Sequence, residues 1–142
     1  MIKRILIFIP IILLIALLCV SWSQYQQFEH ERARLESICV ASADFVVNCF
    51  KTYEATQDDS YYTRGIAEFR AYMQTYLSLI NEDNVSGYLR CESLYIELIN
   101  NPDKVKAHIP ELINVFSYLK SDFNHPDGFK MLEELIKQLK AG

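Results

Sequence analysis

The hydrophobic pattern opens with an unbroken block. Residues 5–22 read ILIFIPIILLIALLCVSW, with no charge and Ser21 as the single strongly polar position. A helix of that length rises about 27 Å, close to the roughly 30 Å of a bilayer's hydrocarbon, so this block is expected to cross a membrane. Pro10 does not argue against it, because neighbouring groups in a membrane helix absorb the carbonyl that proline frees. Beyond it the pattern becomes periodic. Phe28, Leu35, Ile38, Cys39, Ser42, Phe45, Val46, Cys49, Phe50 and Tyr53 recur at three- and four-residue spacing, without Gly or Pro, to about residue 55. That predicts one long helix continuing the membrane segment as a stalk, solvated on most sides over residues 24–36. Residues 56–60, TQDDS, then supply a turn and helix N-cap candidates.

Four further helical stretches follow. Tyr62, Ile66, Phe69, Met73, Tyr76, Leu77 and Ile80 form a stripe that residues 81–84, NEDN, bring to an end. From residue 85 to about 100 more than half of the helical circumference is apolar: Tyr88, Leu89, Cys91, Leu94, Tyr95, Ile96, Leu98 and Ile99. A helix of that kind is expected to be packed on two sides. Pro102 breaks it, and Ile109, preceding Pro110, is biased away from helix, so residues 103–108 are expected to form a short turn. A fourth stretch would bury Leu112, Ile113, Phe116 and Leu119. A fifth, opened by Pro126 and Asp127, would bury Phe129, Leu132, Leu135, Ile136 and Leu139, with Lys137 and Lys140 near its C-terminal dipole. No segment alternates with a period of two. The expected fold is therefore all-α: a single N-terminal transmembrane helix continuing into a stalk and a small antiparallel bundle of about four to five helices.

Composition and charge add topology. The chain has 142 residues, 51% hydrophobic and 23% charged, which fits one domain with a real core and excludes disorder or a two-domain enzyme. Lys3 and Arg4 precede the apolar block, and the positive-inside rule then gives residues 1–4 as a cytoplasmic N-terminus, 5–22 as a signal anchor and 23–142 as an extracytoplasmic domain. Lys3, Arg4, Trp22 and Tyr25 would mark the two membrane interfaces. Setting aside those two cations leaves 12 of the 14 basic residues against 18 acidic ones, a net charge of −6 outside. Such a domain has no electrostatic footprint for nucleic acid and none for anionic lipid. Cleavage after Ser23 would instead release a secreted binder, and Cys19 raises lipidation, although Leu18 before it is wrong for that processing.

The cysteines outside the membrane block, Cys39, Cys49 and Cys91, are odd in number in an oxidising space. Cys39 and Cys49 lie about 15 Å apart on one helix and cannot pair. Chain reversals near Asp58 and Asp83 bring Cys91 level with residue 41, so Cys39 and Cys91 are the candidate disulfide, with three buried thiols as the alternative.

Catalytic and metal chemistry find little support. His30, His108 and His125 are far apart, and no zinc-type spacing occurs. Asp58 and Asp59, like Glu82, Asp83 and Asn84, sit where helix caps belong and lack the calcium-loop pattern. No serine has the glycine-rich context of a nucleophile, and Glu133 and Glu134 diverge by about 100° on a helix. Asn84-Val85-Ser86 fits a glycosylation acceptor in a eukaryotic secretory pathway. Tyr61 and Tyr72 are expected to project away from the Ile66, Phe69 and Met73 face and are the candidate binding surface, the alternative being that the tyrosines cover the shared core with their hydroxyls at the surface. No catalytic residue, cofactor or metal ligand is therefore expected. The expected role is non-catalytic binding or scaffolding at the membrane surface, with the bilayer and a membrane or extracytoplasmic protein as partners. A sensor or regulatory accessory of a membrane complex is the alternative, and a membrane-anchored enzyme a more distant one.

Overall fold

The computed structural model describes residues 2–80 and 85–141, with the side chains of residues 2–11 outside the described set. Among the described residues there are six helices and no strand: α1 (Ile2–Thr56), α2 (Asp59–Leu79), α3 (Val85–Asn100), α4 (Pro102–Lys106), α5 (Ile109–Leu119) and α6 (Pro126–Ala141). The all-α expectation stands.

The breakers act through identifiable geometry. Gln57 adopts a left-handed φ of 56°, held by its N–H donating to the Tyr53 carbonyl at 2.7 Å and its side-chain amide donating to the Glu54 carbonyl at 3.0 Å. Asp58 is then extended, and its carboxylate accepts from the Ser60 N–H at 2.9 Å, capping α2. Two residues thus turn the chain. The turn expected over 103–108 is largely the one-turn helix α4, and Ile109 itself opens α5. Pro110 falls in the first turn, where its missing N–H leaves no hydrogen bond unmade, and this outweighs the local bias on Ile109.

The chain divides into two compact units, Met1–Arg34 and Leu35–Gly142. In the first, the large apolar side chains from Ile12 to Val20 are exposed, as are Trp22 and Tyr25, whose ring centroids lie 6.4 Å apart. Among the described residues no helix is long and apolar enough to cross a membrane. Of the block at 5–22, the side chains of residues 5–11 lie outside the described set, as do those of Lys3 and Arg4, so only residues 12–22 carry described side chains.

In the second unit, the end of α1 contributes Cys39, Ala43, Val46, Val47 and Phe50 to the core, α2 contributes Phe69, Tyr72 and Tyr76, and α3 contributes Cys91, Leu94 and Leu98. α3 packs on α2, α4 and α6, and α6 packs also on α5. All nine apolar positions expected to be buried on α5 and α6 are buried. Aromatic rings tie the helices together; Phe69 meets Phe116 edge-on with centroids 4.9 Å apart.

The buried face of α2 corrects the expected one. It runs through Tyr62, Gly65, Phe69, Tyr72, Met73, Tyr76 and Leu79, while Leu77 is largely exposed. Tyr72, expected as a surface residue, is 0% exposed. Gly65 belongs to this buried face, and a Cβ there would come within 2.9 Å of the Phe50 ring. A bare backbone at this position leaves room for the Phe50 ring of α1 on the same face of α2 as Tyr72. Glycine carries no hydrophobic signal, so the stripe alone placed the face beside the true one.

Candidate functional site

α3 differs from the other helices of its unit in being apolar on opposite sides. Gly87, Cys91, Leu94 and Leu98 are buried. At 3.6 residues per turn, Val85, Leu89, Ile96 and Ile99 fall together in a sector of about 80° on the other side, and they are 37%, 53%, 49% and 52% exposed. The expectation that α3 packs on two sides is therefore met on one side only. The stripe is bordered by half-buried Tyr88 and Tyr95 along one edge and by Ser86, Ser93 and Asn100 along the other. Glu92 is the single charge within it, and it has no hydrogen-bond or ion-pair partner among the described residues. Arg90, the nearest cation in sequence, lies off the stripe and pairs with Glu133 at 3.1 Å.

A second feature lies near the start of the same helix. A cavity of about 280 Å³ is lined by Tyr76, Ser86, Gly87, Arg90, Asn124, Pro126 and Phe129. Its polar groups are largely committed to one another. The Tyr76 hydroxyl donates to Asn124 Oδ1 at 3.0 Å, and the neighbouring Tyr72 hydroxyl donates to the Phe123 carbonyl at 2.6 Å, so both tyrosines pin the α5–α6 connection. Burial pushes the Tyr76 hydroxyl up to about 12 and raises that of Tyr72 well above its ordinary value. Neither is a base near neutral pH. A shallow depression along α1 at Ser23, Gln26, His30 and Ala33 lies on a single helix and gathers no convergent chemistry.

Of the other residues singled out from the sequence, Cys39 and Cys91 share one part of the core and the rest are dispersed. Cys39 and Cys91 are completely buried free thiols in this structure. Desolvation pushes Cys39 up to about 12 and raises Cys91, whose ionisation Cys39 further opposes. The Cys39 thiol also lies 3.8 Å from the Tyr72 carbonyl, a weak S–H donor contact. Cys49 is buried as well. Tyr61 is half-buried and rests on the core. His125 caps α6 by accepting from the Asp127 N–H at 3.2 Å. His108 makes no cap bond; its Nδ1 is closed off from solvent and stands 3.7 Å from Glu111, too far for a hydrogen bond. Asp59 holds Lys106 at 2.6 Å, with the ammonium 5.2 Å from the Tyr62 ring centre. Glu82, Asp83 and Asn84 lie outside the described residues, and the glycosylation acceptor with them. Among the described residues no group of three or more acidic, cysteine or histidine side chains could hold a metal ion.

Sequence reasoning found the apolar residues of the α3 stripe but took them for core. The signal available was Glu92, a charge in the middle of a face that a fully packed helix would keep apolar. Comparison with protein-family models, curated proteins and solved structures returns no match to this chain.

Proposed function

We propose that this protein is a membrane-anchored, non-catalytic binding or scaffolding subunit. Residues 5–22 form its signal anchor, the N-terminus is cytoplasmic, and the helical bundle presents the outer face of α3 to a protein partner outside the cytoplasm. The observation that carries this is the stripe of Val85, Leu89, Ile96 and Ile99, four large apolar side chains aligned on solvent beside a core that is otherwise well closed. An aligned apolar face with one charge at its centre, rimmed by tyrosine and small polar residues, is the kind of surface that protein partners cover. The anchor is supported by its composition: eighteen residues without a charge, preceded by Lys3 and Arg4. The cavity at Tyr76 favours a ligand-binding role less, because its hydroxyl, amide and guanidinium groups already satisfy one another or Glu133.

The test uses the full chain in its native membrane. Carbonate extraction with mass determination of the N-terminus should find intact Met1 in the membrane fraction. A soluble product beginning at Gln24 would overturn the anchor. A photo-crosslinking residue at position 89 or 96 should give a discrete protein adduct, whereas one at exposed Lys130 on α6 should not. Equal labelling at all three positions, or none at any, would overturn the docking face.

A further inference from the structure

The exposed face of α3 is more specific than an apolar patch. Val85, Leu89, Glu92, Ile96 and Ile99 are spaced four, three, four and three residues apart, the core repeat of a coiled coil. Their places along the helix span about 21 Å, four turns. Four of the five core positions are large aliphatics, and the central one is a carboxylate without a partner among the described residues. A carboxylate in a helix–helix seam loses its water when the seam closes, and that loss is offset only by an opposite charge facing it.

Charge complementarity therefore identifies the occupant. We infer that α3 docks a single amphipathic helix of about four turns, belonging to another protein, whose apolar stripe carries one lysine or arginine at its centre, opposite Glu92. This rests on the docking role proposed above and adds the chemistry of the partner. A second copy of this chain fits less well. Two-fold pairing of α3 with itself sets Glu92 against its own counterpart or against Leu89 or Ile96, and the face contains no cation to meet it. A buried polar or charged residue at one core position is also how helix pairs fix register and partner choice, so Glu92 gives the face selectivity at some expense of affinity.

The experiment uses the full chain in detergent micelles and three fluorescein-labelled helical peptides of eighteen residues. All have leucine at every core position except the central one, which is Lys, Leu or Glu. In a parallel dock the central position lies level with Glu92, and in an antiparallel dock it lies in the adjoining core layer, within reach of the carboxylate. Fluorescence anisotropy should show the Lys peptide binding at least tenfold more tightly than the Glu peptide, with the gap shrinking in high salt. Glu92→Lys should reverse the preference, and Leu89→Glu should abolish binding of the Lys peptide. Binding lost in Leu89→Glu but indifferent to the central residue would overturn the inferred partner chemistry while leaving α3 as a docking face. Binding untouched by Leu89→Glu, or absent with all three peptides, would overturn the inference. Light scattering that shows a dimer dissociated by Leu89→Glu would assign the face to a second copy and overturn it also.

Discussion

Replacing Gly87 with alanine is the sharpest test of how the helices meet. Gly87 lies in the first turn of α3, and a Cβ there would overlap the Tyr76 hydroxyl and stand 3.1 Å from Tyr76 Cζ and 3.2 Å from Phe129 Cε1. Tyr76 cannot simply step aside. It is fully buried and its hydroxyl is tied to Asn124 Oδ1 at 3.0 Å. Overpacking of this kind costs about 1–3 kcal/mol, and loss of the tyrosine's hydrogen bond adds about 1 kcal/mol. Against these stands a helix-propensity gain of up to about 1 kcal/mol on replacing glycine. The net expectation is a destabilisation of about 1–3 kcal/mol, measured as a fall in the urea midpoint of the full chain in micelles at unchanged slope. Tyr76→Phe removes the overlapping oxygen, so the double variant should be more stable than the two single losses predict, by about 1 kcal/mol of coupling. A Gly87→Ala protein as stable as the parent, or strictly additive single and double variants, would refute the close approach of α3 to Tyr76.

Other outcomes follow from the same geometry. Leu94→Ala should cost about 2–5 kcal/mol as a core cavity, whereas Leu89→Ala on the open face should stay within about 0.5 kcal/mol, both read from urea midpoints. Tyr72→Phe should lose about 1–2 kcal/mol by leaving the Phe123 carbonyl without its donor, a result that an exposed tyrosine would not give. Burial holds Cys39 at about 12 against its ordinary 9.0 and Tyr76 at about 12 against 10.0. The unfolded chain therefore releases these protons first, and stability should fall as pH rises from about 9 towards 12. Urea midpoints that stayed flat over that window would contradict the burial of both groups. Native Cys91 should react with iodoacetamide only as fast as the bundle opens; labelling as rapid as in urea would show that it is not enclosed.

Helix positions and most of the core were legible because apolar spacing and breakers agreed. Asp58 caps α2, Pro126 opens α6, and Leu132, Leu135, Ile136 and Leu139 face inward as their spacing requires. The errors are equally physical. Ile38 and Phe45 continue the stripe of α1 yet stay exposed, because the helices packed on α1 cover a narrower sector than the stripe itself. Gly65 and Gly87 decide how closely α1, α2 and α3 approach, and an absent side chain leaves no mark in a hydrophobic pattern. For the candidate site, periodicity told that Leu89 and Ile96 lie opposite Leu94. It could not tell whether their neighbours come from the same chain.

The place of α6 in the chain governs how the protein is made. Its inner face meets α3 and α5, both of which leave the ribosome before it. At translation rates of about 5–20 residues per second, the sixteen residues of α6 take roughly 1–3 s to synthesise. Until α6 has joined them, the faces of α3 and α5 that it covers lack that cover. Closure of these faces therefore waits on α6, and until then they are where a holding chaperone would have most to cover.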